Sequence, residues 1–141
     1  MEKRAIALGL AATLVFYFIA KLLLAAHKRL TAIMDENPSS FFWPIANSLQ
    51  EPITILPWLI PGALVGFLCI KSPVKHGAIT GAIYGTIISL LGFIIASSQA
   101  YDTTSKLTHL SYGLIFIVKS TFLYALAAPI GHLMATQRRA L

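Results

Sequence analysis

Pro52-Ile-Thr-Ile-Leu-Pro57-Trp-Leu-Ile-Pro61-Gly62-Ala-Leu-Val-Gly66-Phe-Leu-Cys-Ile70, the basic link Lys71-Ser-Pro-Val-Lys-His76, and the run from Gly77 through Gly81 and Gly85 to Ser97 decide the fold. Two apolar runs flank a short polar link. The second carries Gly77, Gly81 and Gly85, a small residue every fourth position, and the first carries Gly62 and Gly66. Residues four apart share one helix face. In lipid, small residues on a face let two backbones approach closely, and that approach drives helix association. The stretch therefore reads as a transmembrane helical hairpin packed through its glycines. On a helical wheel Gly77, Gly81, Gly85, Ser89, Gly92 and Ala96 fall within a sector of about 120°, which predicts a small-residue stripe through the full depth of the membrane. An antiparallel pair centred on the link predicts that Gly66 faces Gly81 and Gly62 faces Gly85.

Composition agrees with a membrane setting. Of 141 residues, 57% are hydrophobic and 11% charged, against about 25% charged in a soluble domain, and mean hydropathy is +0.76. The length fits one polytopic membrane domain over 1–141. The net charge of +6 sits in small groups at the ends of apolar runs, as membrane-flanking residues do. It forms no basic stripe interleaved with aromatics, so nucleic acid is not an expected partner. The single cysteine, Cys69, excludes an intrachain disulfide and a thiolate cluster.

Four spans are expected, at about 5–30, 52–70, 77–97 and 110–134. The first is read as an uncleaved helix. A signal peptide is the rival reading, but its apolar stretch is too long and Leu24 stands where a small residue belongs. Asn37-Pro38 ends that helix. The aromatic run Phe41-Phe42-Trp43 predicts a short helix in the membrane interface over Phe41–Leu49, capped by Ser39 or Ser40. The fold class is thus all-α and integral to the membrane: four transmembrane helices, a glycine-striped central hairpin and an interfacial helix after the first span.

Charge bias sets the expected orientation. With both termini cytoplasmic, Lys3, Arg4, Lys71, Lys75, Arg138 and Arg139 lie inside, and Lys28, Arg29 and Lys106 outside. The bacterial inner membrane is the expected location.

Polar features within the spans are few. Lys119 lies nine residues into the fourth span, about 14 Å along a helix, with no carboxylate in any span to meet it. A charge at such depth is a functional hypothesis. The competing reading is a side chain that snorkels to the headgroups. Pro57 and Pro61 each free a carbonyl four residues earlier, which either kinks the helix or builds an ion or substrate site. His27, His76, His109 and His132 stand singly at span ends, so neither zinc nor haem is expected. No cofactor is implied. No nucleophile–base set, paired intramembrane carboxylate or phosphate loop is present, so the chain is not expected to be an enzyme.

The sequence favours a small non-enzymatic accessory or assembly subunit. Its partners would be the lipid bilayer and either further copies of itself or other membrane subunits. Gly62, Gly66, Gly77, Gly81 and Gly85 would pack helices in it. The alternative is an oligomeric channel or transporter for a small or anionic solute, with Lys119, Pro57 and Pro61 along the path.

Overall fold

The computed structural model describes residues 2–35, 48–98 and 103–139. The elements are helices: α1 (Lys3–Asp35), α2 (Gln50–Leu68), α3 (Pro73–Ser98) and α4 (Thr103–Arg139). Three segments are long and apolar enough to cross a membrane: Lys3–Ala32, Pro73–Ile95 and Leu107–Arg138. The apolar part of α2, Pro52–Leu68, is shorter, about 25 Å at helical rise against a hydrocarbon core of about 30 Å. The expected interfacial helix over Phe41–Leu49 falls largely outside the described residues.

The helices run beyond the expected membrane spans at several ends; for α1 this is the continuation past Lys28 and Arg29 toward Met34 that its sequence allows. α1 continues through Lys28 and Arg29 to Asp35, and α4 starts at Thr103. Lys and Arg are good helix formers, so a basic residue that ends a hydrophobic stretch does not end the helix. The link between α2 and α3 is shorter than its basic composition implies. Cys69 is extended, its N–H bonded to the carbonyls of Val65 and Gly66. Ser72 takes a positive φ of 53°, a region disfavoured for residues with a Cβ. Pro73 opens α3, where its missing N–H costs nothing.

This link is fastened to the N-terminus. The Glu2 carboxylate accepts hydrogen bonds from the N–H groups of Ile70 (3.0 Å) and Lys71 (3.3 Å). The Glu2 N–H donates to His76 Nε2 at 3.1 Å. His76 Nδ1 therefore carries the ring proton, which it donates to the Ser72 carbonyl at 3.0 Å. On the far side of the link, His132 Nδ1 donates to the Cys69 carbonyl at 3.1 Å. The start of α1, the α2–α3 link and the end of α4 thus meet at one end of the bundle.

The glycine faces of α2 and α3 do not meet each other, which corrects the expected register. Each packs against α4. A Cβ at Gly62 would lie 2.9 Å from the Ala127 Cβ, and one at Gly66 would overlap the Ala128 carbonyl. On α3, a Cβ at Gly77 would lie 2.5 Å from the Tyr124 carbonyl oxygen, and one at Gly81 2.5 Å from that of Ser120. One at Gly85 would strike the Ser120 hydroxyl. The α4 stripe of Ser120, Tyr124, Ala128 and Gly131 is buried in the trough between the other two helices, and Gly131 abuts the Ala63 carbonyl. A third helix with a small-residue face satisfies both glycine faces together. It also supplies two bonds that glycine against glycine lacks: Ser120 Oγ to the Gly81 carbonyl and Ser89 Oγ to the Gly113 carbonyl, each 2.9 Å. The stripe does not run the full depth either, since nothing lies within 4 Å of a Cβ built at Gly92.

α1 closes the other side, packing on α2 and α3. Gly9 sits against Val65 and Thr80. Between α2 and α3 the fully buried Tyr124 reaches across from α4 to bond the Thr13 hydroxyl. Thr13 donates its own proton to the Gly9 carbonyl at 2.7 Å, so the tyrosine is the donor to Thr13.

Candidate functional site

Above Tyr124 the four helices separate around a cleft of about 210 Å³. Each helix contributes to its wall: Tyr17, Ala20, Lys21 and Leu24 from α1, Thr54, Pro57 and Trp58 from α2, Tyr84 from α3, and Phe116 and Lys119 from α4. Ala20 and Tyr84 are buried, whereas Lys21 and Lys119 are exposed. The lysines thus stand at the mouth and the tyrosine at the floor.

Aromatic packing shapes the wall. The Trp58 and Phe116 rings meet edge to face with centroids 4.8 Å apart. Tyr84 lies 6.1 Å from Trp58 and 6.0 Å from Phe116, and stacks on Tyr124 at 6.3 Å. These are favourable ring geometries, and they tie the wall to the polar crossing of Thr13 and Tyr124 beneath it.

Each ammonium group lies over a ring. Lys119 Nζ is 5.6 Å from the Trp58 centroid, and Lys21 Nζ is 5.4 Å from that of Tyr17. Among the described residues neither lysine is hydrogen-bonded or ion-paired. In particular, Lys119 does not reach the carbonyls that Pro57 and Pro61 free at Ile53 and Pro57. Trp58 is eleven residues from Cys69 and Lys119 thirteen from His132, which puts the cleft about 16–20 Å from the latched end.

The structure separates the sequence candidates. Lys119 and Pro57 line the cleft; Pro61 is fully buried in the packed half of the bundle and does not. None of the five glycines lines the cleft: Gly62, Gly66 and Gly77 pack on Tyr124–Ala128 below it, while Gly81 and Gly85 pack on Ile117–Thr121 at its level. Sequence reasoning treated Lys119 alone and passed over Lys21, Tyr17, Trp58, Tyr84 and Phe116. One signal was legible: two cations within spans and no carboxylate in any span. Among the described residues, no group of three His, Cys, Asp or Glu side chains could hold a metal ion. Compared with protein-family models, curated proteins and solved structures, the chain matches none.

Proposed function

We propose that the chain is a non-enzymatic multi-pass membrane protein that binds an anionic solute in the cleft among its four helices, as a small transporter or channel component would. The convergence of Lys21 and Lys119 on one aromatic cleft carries this reading. A lysine charge at the centre of a membrane helix costs about 2.5–3.5 kcal/mol on insertion scales. A cation–π contact at an exposed site returns only about 0.5–1 kcal/mol. Snorkelling would turn each side chain away from its neighbours, yet both line the same space. A bound anion would offset the remaining cost of both charges together.

The test is thermal unfolding of the purified protein in detergent with sodium chloride, phosphate, acetate and benzoate at matched ionic strength. At least one anion should raise the melting temperature beyond the others, and that gain should vanish in Lys21→Gln/Lys119→Gln. Equal curves for all four salts would end the reading.

The accessory-subunit reading stands second, supported by the exposure of both lysines, where a carboxylate of a neighbouring subunit could meet them. In that case a stoichiometric partner co-purifies in mild detergent and is lost with Lys119→Gln. A location in the bacterial inner membrane with both termini cytoplasmic belongs to the same proposal. It rests on the six-to-three bias of basic residues. Labelling of single cysteines at Ser72 and Ser105, in a Cys69→Ala background, tests it: Ser105 should react from outside and Ser72 only after lysis.

A further inference from the structure

We infer that the anion is a small organic carboxylate whose apolar body is about the size of one aromatic ring; this rests on the anion-binding reading above. Three observations define the ligand.

The first is volume. An engineered cavity of about 150 Å³ lined by apolar side chains holds benzene, and this cleft measures about 210 Å³. One ring with a carboxylate fits such a space. A chloride ion would leave most of the wall without a partner, and every gap forfeits dispersion contact.

The second is the distribution of polarity. The charged groups stand at the exposed mouth, while Trp58, Tyr84 and Phe116 form the inner wall. An occupant with its charge at one end and an apolar body at the other satisfies both regions. A fully hydrated anion satisfies only the mouth.

The third is the donor set. The lining holds no arginine, and its helical segments commit their backbone N–H groups to the helix ladder. A phosphate has three strongly accepting oxygens and is best met by arginine forks or open backbone amides. Two lysines acting as point charges suit a carboxylate with a single charge.

The cleft also carries its own reporter. The chain has two tryptophans, Trp43 and Trp58. In a Trp43→Phe background all tryptophan emission comes from Trp58, in the wall. Benzoate titrated into this protein in detergent should change that emission saturably. Benzyl alcohol, chloride and phosphate should require at least tenfold higher concentrations. Lys21→Gln/Lys119→Gln should weaken benzoate at least tenfold, and Lys119→Arg, which keeps the charge, should retain most of the binding. If chloride or phosphate binds as tightly as benzoate and loses affinity in the double variant, the ligand class is wrong while the anion-binding reading stands. If benzyl alcohol matches benzoate, or if none of the four probes acts on Trp58, both inferences fall. The same holds if benzoate binds the double variant as well as the parent.

Discussion

Ser120 Oγ donates to the Gly81 carbonyl at 2.9 Å, and a Cβ placed on Gly81 would stand 2.5 Å from the Ser120 carbonyl oxygen. The two helices touch backbone to backbone here, so any side chain at 81 must force them apart. Gly81→Ile should therefore destabilise strongly, beyond the roughly 1–3 kcal/mol of ordinary overpacking. Gly66→Ala should cost a comparable amount because its new methyl meets a main-chain carbonyl. Gly92→Ala, with open space around it, should be neutral or gain up to about 1 kcal/mol from helix propensity. Unfolding in detergent by circular dichroism would rank the three, and a Gly92→Ala variant as damaged as Gly66→Ala would contradict this packing.

Crosslinking separates the observed pairing from direct contact of the two glycine faces. In a Cys69→Ala background, cysteines at Gly62 and Ala127 should form a disulfide within one chain, since their Cβ positions are 2.9 Å apart and need only a slight shift to reach disulfide geometry. Cysteines at Gly66 and Gly81 should not. The reverse pattern on a reducing and non-reducing gel would restore the hairpin register.

The polar crossing predicts an asymmetry. Tyr124→Phe removes a donor and leaves Thr13 still bonded to the Gly9 carbonyl. Interhelical bonds of this kind average about 0.6 kcal/mol in membranes, and the loss should be of that order. Thr13→Val instead strands the hydroxyl of a fully buried tyrosine, which costs about 1–3 kcal/mol. Equal effects in steric-trap or denaturant unfolding would reassign the donor.

The latch at Glu2 predicts a dependence on acid. Hydrogen bonds from the Ile70 N–H, then from the Lys71 N–H, together with the Cys69 side chain, hold the Glu2 carboxyl below its ordinary value, against the opposing effect of desolvation. A carboxyl depressed in the folded state contributes stability above its unfolded value, about 4.3, and loses it as pH falls through the lower folded value. Hydrogen-exchange protection at Ile70 and Lys71 should hold at pH 5 and fall in more acidic buffer. Glu2→Gln, still able to accept a bond but uncharged, should show reduced protection at pH 5 and little further change in acid.

Periodicity and composition reached the helical architecture because lipid leaves few alternatives: apolar runs of this length must satisfy their own backbones. Gly62, Gly66, Gly77, Gly81 and Gly85 were visible as faces for the same reason. Their partner was not visible, because a glycine face fits any small-residue face. Whether Gly66 faces Gly81 or Ala128, and whether Gly81 faces Gly66 or Ser120, depends on a third helix far along the chain. Ser89, read only as a small residue of the α3 stripe, and Ser120 on α4 discriminate by hydrogen bonding. The cleft was hidden on different grounds. Lys21 and Lys119 are 98 positions apart, and only the packing of both α1 and α4 on α2 brings them to one space. The aromatics that line it look, in sequence, like any lipid-facing Trp, Tyr or Phe.

The trough between α2 and α3 also imposes an order on biogenesis. Both glycine faces leave the ribosome before the helix that fills them, and α4 completes its face only some forty residues later. At about 5–20 residues per second, the two earlier helices wait a few seconds with their glycine faces uncovered. α1 is made before them, and Glu2 can fasten the link as soon as it emerges. The nascent protein is thus held together first at its latched end and sealed last by its final helix.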